Sequence, residues 1–214
     1  MSDIFHEVDE EVRREQFKKL WDRYGILLVI AAVLIVAGVG GWRGYQWWQA
    51  KQAAEASVAY DAASELVDQG KAAEAEAAFA KLATDGTPGY RILARLRAAA
   101  AEKNPEAAVA AYDAIAQDSS INQTLRELAS IRAALLLTDT ASLSDMTKRL
   151  EPLTVPGSAF RHTARELLAL TSIKAGDPAT AKKWIDMLLA DADTPQGTRT
   201  RVDVLMTLNE SGKS

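Results

Sequence analysis

Two histidines, His6 and His162, are the only imidazoles in this chain of 214 residues, and it holds no cysteine. The missing thiol removes a disulfide framework, a thiolate nucleophile and a cysteine-ligated metal from consideration. His6 stands in the charged opening stretch and His162 at the expected start of a late helix, so they do not make one site. No GxSxG, HExxH, phosphate-loop or dinucleotide fingerprint occurs. Asp9-Glu10-Glu11 reads as a solvated charge run. Asp139, Asp145, Asp191 and Asp193 fall near expected helix starts and turns, where short carboxylates cap backbone N–H groups. With 25 basic and 29 acidic residues the formal net charge is −4, which argues against a nucleic-acid partner. The expectation is no catalysis, no cofactor and no metal. What remains is recognition chemistry, above all Arg97 and Arg132, which occupy matching places in LARLRAA (93–99) and LASIRAA (128–134).

The elements that position these residues begin with 24–42, YGILLVIAAVLIVAGVGGW, which carries no charge. A helix of that length just crosses the hydrocarbon core of a bilayer. Trp21 and Tyr24 at one end, and Trp42, Tyr45, Trp47 and Trp48 at the other, suit the two headgroup belts. The bulky exit argues against signal cleavage. Arg13, Arg14, Lys18, Lys19 and Arg23 precede the span, whereas only Arg43 and Lys51 follow it closely. The positive-inside rule therefore predicts a cytoplasmic tail over 1–23, with the rest across the membrane. Val8, Val12, Phe17, Leu20 and Trp21 predict a short amphipathic helix leading into the span. Within it, Ala37, Gly40, Gly41 and Gly44 form small-xxx-small pairs that suit close helix packing in lipid.

Residues 43–55 read as an aromatic exit and helical stalk, and 56–211 as one all-α domain built from repeats. Ala75, Phe79 and Leu82 follow the turn at Gly70. Ala108, Tyr112 and Ile115 follow Lys103 in the same way, and Ala181, Ile185 and Leu188 follow Gly176. An alanine lets the second helix of a hairpin approach the first, and the larger residues fill the space to the next pair. Units begin near Ala56, Gly89, Thr124 and His162, and a closing helix runs from Pro195 to about Asn209. Asn104-Pro105, Asp177-Pro178 and Thr194-Pro195 each predict an N-cap followed by proline at the first helical position. The third unit departs, with a short second helix near 142–150.

This spacing resembles a degenerate tetratricopeptide repeat: an all-α solenoid of helix hairpins behind a single N-terminal transmembrane helix. The order of a charged tail, a span ending Gly41-Trp42-Arg43, aromatics, a repeat array and a closing Asp193-Thr194-Pro195 resembles the YfgM-like ancillary SecYEG translocon subunit family. That resemblance implies a single-pass inner-membrane protein, N-terminus cytoplasmic, whose periplasmic repeats bind the Sec translocon and periplasmic chaperones. The alternative is a homo-oligomeric envelope scaffold, for example in division, assembled through the glycine-rich span or an open end of the array.

A solenoid binds through the face lined by the first helix of each pair. Aligning the repeats places Tyr60, Tyr90, Arg97, Arg132, Glu166 and Lys174 there. Arg97 and Arg132 would offer two guanidinium groups to an acidic or C-terminal carboxylate partner. The competing reading pairs them locally with Glu102 or Glu127, and has Tyr60 and Tyr90 packing between repeats.

Overall fold

The computed structural model describes the backbone of residues 3–211 and the side chains from Arg14 to Glu210, apart from 15–17 and 19. The pattern expected over Val8, Val12 and Phe17, and the imidazole of His6, lie outside that description. Among the described residues the chain is nearly all helical, with no strand. The order is α1 (Asp3–Asp68), α2 (Ala72–Asp85), α3 (Pro88–Ala101), α4 (Pro105–Ala116), α5 (Gln123–Leu137) and α6 (Leu143–Leu150). A 3₁₀ turn (Glu151–Leu153), α7 (Arg161–Lys174), α8 (Pro178–Ala190) and α9 (Gln196–Ser211) complete it. The chain divides into two compact units between Glu55 and Ala56.

In the first unit, α1 exposes Ile26, Leu27, Leu28, Val29, Ile30, Val33, Leu34, Ile35, Val36 and Val39 around its whole circumference. A helix apolar on every side is stable only with apolar surroundings. Among the described residues it is the one helix long and apolar enough to cross a membrane. Ala37, Gly40, Gly41 and Gly44 are all exposed, and a Cβ added at any of the three glycines would meet nothing within 4 Å.

In the second unit the helices pack as successive hairpins, and the repeat positions are where the spacing puts them. Ala75, Phe79 and Leu82, then Ala108, Tyr112 and Ile115, then Ala181, Ile185 and Leu188 are all buried. Three apolar clusters follow one another along the chain. Phe79 gathers Ala63, Ala75, Leu82 and Ala94, and Tyr112 and Ile115 gather Ala99, Ile121, Ala129 and Ala133. The largest cluster joins α5 to α9 through Met146, Leu150, Leu168, Trp184, Leu188 and Val202. In the short third hairpin Met146 and Leu150 replace the usual alanine and aromatic, and both are fully buried.

The hairpin turns follow from local chemistry. Gly70 and Gly176 take φ of 74° and 71°, the left-handed region that a side chain disfavours. The next amides, of Lys71 and Asp177, donate back to Leu66 and Ser172 carbonyls at 2.9 Å, closing each helix in a Schellman turn. Asn104 Oδ1 accepts from the Glu106 and Ala107 amides, and Asp177 Oδ1 from that of Thr180; Pro105 and Pro178 open their helices. The expectation for Thr194-Pro195 is corrected by one residue. The α9 helix starts at Gln196, and the Pro195 carbonyl accepts from the Thr198 and Arg199 amides. The Thr194 hydroxyl turns inward instead, donating to the Leu188 carbonyl at 2.7 Å.

Candidate interaction site

A groove of about 340 Å³ opens on the face of the first helices, lined by Tyr60, Leu93, Leu96, Arg97, Ala100, Tyr112, Leu128 and Arg132. Tyr60 comes from the end of α1, Leu93 to Ala100 from α3, Leu128 and Arg132 from α5. Tyr112 reaches it from α4, the second helix of its hairpin. The matching motifs on α3 and α5 turn Ala94, Ala99, Ala129 and Ala133 into the core. Helical spacing then leaves Arg97 and Arg132 exposed on the opposite side.

Tyr60 sits edge-on to Phe79, centroids 5.6 Å apart, and tilted against Tyr90 at 5.9 Å. So held, its hydroxyl accepts from Arg97 Nε at 3.1 Å. That bond, and the field of the same phenol, hold the Arg97 guanidinium above its usual pKa. Burial pushes the Tyr112 phenol up, and the nearby Arg132 charge draws it partly back. Both acids of the competing reading are engaged elsewhere. Glu127 is buried and accepts from Gln123 Nε2 and Ser158 Oγ, each at 2.8 Å. Glu102 accepts from the Asn104 amide at 2.9 Å.

Four of the six anticipated residues therefore come together: Tyr60, Arg97 and Arg132 line the groove, and Tyr90 supports Tyr60. Glu166 and Lys174 do not join them. Glu166 on α7 takes both ends of the Arg201 guanidinium from α9, and Lys174 reaches Asp139 in the α5–α6 turn. Tyr112, expected only as a packing residue, is buried and also lines the groove; its polar hydroxyl is the sequence signal for that second place.

The aspartates divide. Asp145 stands in the first turn of α6, where the Ser142 hydroxyl donates to its carboxylate and caps its amide. Asp191 caps its turn as expected, accepting from the Asp193 amide at 3.1 Å, and is also the centre of a polar knot. Its carboxylate accepts from Arg161 Nε at 2.9 Å, Arg165 Nη1 at 2.8 Å and His162 Nε2 at 3.1 Å. Arg161, first among these donors, holds the Asp191 pKa well below the carboxylate range. Arg165, itself buried, also donates to the Thr154 carbonyl. The knot ties α7 to the end of α8. Among the described residues no three His, Asp or Glu side chains gather as a metal site would need.

Asp118, after α4, offers a pH test of the hairpin packing. Its carboxylate accepts from the Ser120 hydroxyl at 2.6 Å and amide at 3.1 Å, and from Arg95 Nη1 on α3 at 2.8 Å. Those bonds pull its pKa down to about 2. A lowered folded-state pKa gives stability present above the ordinary carboxylate range and lost as pH falls through the folded value. Asp118→Asn is expected to flatten the acid side of the melting-temperature profile between about pH 4 and pH 2. Parallel acid limbs for the two proteins would show that the bonds add nothing.

Residues 18–204 match the family model of the tetratricopeptide repeat-like domain. The chain is 28% identical over 183 residues to the ancillary SecYEG translocon subunit of Haemophilus influenzae, covering 83% of this chain and 87% of that protein. No solved structure matches it.

Proposed function

The chain belongs to the tetratricopeptide repeat-like domain family, and from that premise we propose that it works by binding proteins rather than by catalysis. The proposal places it as a single-pass inner-membrane anchor, residues 24–42 spanning, 1–23 cytoplasmic and the stalk and repeats (43–55, 56–211) periplasmic. There it serves the Sec translocon as an ancillary factor and hands emerging chains to periplasmic folding factors. Likeness to a translocon subunit over most of both chains supports the role. The exposed apolar helix supports the anchor, and the lysines and arginines before it support the orientation. The groove holding Arg97 and Arg132 carries the partner-binding reading, because it is a recess with two cations on the face that repeats use for ligands.

A photo-crosslinking residue at Arg97, and separately at Gly40, in intact cells tests this. Adducts from either position to translocon subunits, with Arg97 also reaching periplasmic chaperones, are the expected result. Adducts only between copies of this chain would favour the scaffold, in which the open glycine face at Gly40, Gly41 and Gly44 joins two spans.

A further inference from the structure

The second helices of the later hairpins are linked by ion pairs. Arg149 on α6 donates to both carboxylate oxygens of Asp113 on α4, and Lys183 on α8 stands 3.9 Å from Glu151 after α6. Between α2 and α4 the link is missing. Among the described residues no hydrogen bond or ion pair joins these two helices, and they belong to separate apolar clusters. What lies between them is a recess of about 370 Å³, walled by α2, α3 and α4. It is distinct from the groove holding Arg97. Leu93, Leu96 and Arg97 leave α3 on one flank, Arg95, Ala98 and Glu102 on another, and no residue lines both spaces.

The walls are mostly methyl groups: Ala80 and Ala83 from α2, Ala98 and Ala101 from α3, Ala111 and Ala114 from α4. Side chains so short let another helix lie close. The charges are unequal along the recess. Arg95 is already neutralised by Asp118 at 2.8 Å. Seven residues on, about 10 Å along the helix, the sign is negative. Glu102 accepts the Asn104 amide and meets no cation, and Glu76 has no hydrogen bond or ion pair among the described residues. Glu102 is also the C-cap of α3, whose last turn holds no basic residue, so the carbonyl end of that helix adds to the same field. Over 61–76 the chain sets Asp61, Glu65, Asp68, Glu74 and Glu76 against Lys71 alone.

A guest that matches this space has an aliphatic stem for the alanines and a positive head for the glutamates. Arginine supplies both, and its planar fork has donors enough for two carboxylates at once. A metal ion would leave the methyl walls uncovered, and an anionic lipid surface would be repelled. The volume is at the low end for ligand sites, room for one long side chain and part of its neighbour.

We propose that the recess between α2 and α4 docks an arginine side chain from a helix of a partner protein, with an apolar residue one turn away resting on the alanines. Glu76 and Glu102 receive the guanidinium, and Ala80 and Ala111 pack on the stem. The guest arginine takes the place that Arg149 fills between α4 and α6. The repeat unit then has two docking surfaces of opposite charge, on two flanks of α3.

The test uses the full chain in detergent micelles and the fluorescein-labelled, amidated peptide Gly-Ser-Ala-Arg-Ala-Ala-Leu-Ser-Gly, followed by fluorescence anisotropy. Comparison peptides carry lysine or glutamine in place of the arginine. A charged hydrogen bond supports about a tenfold change in affinity. The arginine peptide is expected to bind about tenfold tighter than the glutamine peptide, with lysine between them. Glu76→Gln and Glu102→Gln should each remove several-fold. Ala80→Leu fills the recess and keeps every charge, and should remove about tenfold or more at low and high salt alike. All three positions are exposed, so the melting temperature should hold.

Equal binding of the arginine and glutamine peptides would overturn the proposal, as would no binding of any peptide. Losses in the two glutamine variants with none in Ala80→Leu would also overturn it, since a diffuse acidic surface then suffices. The Arg97 groove shares no residue with this recess, and its adducts in cells test it separately.

Discussion

Leu168→Ala is expected to cost about 4 kcal/mol and to lower the melting temperature of the repeat unit by roughly 10 °C. Leu168 is fully buried in the middle of α7, at the centre of the cluster joining α5, α6, α8 and α9. Truncation removes transfer free energy and leaves a cavity that rigid neighbours such as Trp184 and Leu188 fill only in part. Each hairpin buries its apolar face against its neighbours, so the loss is expected to be local first. Hydrogen exchange should show amides of α7, α8 and α9 opening early while α2 to α4 keep their protection. Leu189, 41% exposed on the next helix, supplies the contrast, and Leu189→Ala should stay within about 0.5 kcal/mol. A melt of Leu168→Ala that overlays the parent would mean that the cluster around α7 does not hold the unit together.

The second large effect concerns the anchor. Val33 and Leu34 stand at the middle of the span and are exposed on α1. An arginine at the centre of a membrane helix costs about 3 kcal/mol on the insertion scale, and the displaced apolar residue gives up a few tenths more. Val33→Arg with Leu34→Arg should therefore disfavour insertion by about 6 kcal/mol, shifting the balance by about four orders of magnitude. Carbonate extraction of membranes is the measurement, with the chain moving from the pellet to the soluble fraction. The repeat unit, with its own core, should keep its circular-dichroism melt in the released protein. Retention of the double variant in the pellet would mean that something other than this helix holds the chain to the membrane.

Much of this molecule was legible residue by residue because the signals are local. The uncharged 24–42 marks, by composition alone, a helix long and apolar enough to cross a membrane. The recurrence of Ala75, Ala108 and Ala181, each with large apolar residues four and seven places on, declares a stack of hairpins. Gly70 and Gly176 mark their turns by a backbone requirement that glycine meets most easily. Thr194-Pro195 shows where local signals stop. The same dipeptide pattern that caps α4 and α8 is displaced by one residue at α9, because the Thr194 hydroxyl finds the Leu188 carbonyl.

Which long side chains meet was decided by the tertiary structure. Alignment of repeats put Arg97, Arg132, Glu166 and Lys174 on one face alike, since periodicity reports only the direction a residue leaves its helix. Arg201 then claims Glu166 and Asp139 claims Lys174 across 35 residues of chain in each case. Arg97 and Arg132 are left without a carboxylate. Asp191 carries the same short carboxylate as a capping aspartate, and becomes the centre of a knot because α7 brings Arg161, His162 and Arg165 to it. Tyr112 from α4 joins residues of α3 and α5 in lining the groove, which its place in the repeat pattern did not reveal. Secondary structure and burial follow from patterns a few residues long. Ion pairs and binding surfaces depend on distances between residues far apart in the chain, and only the packed hairpins set those.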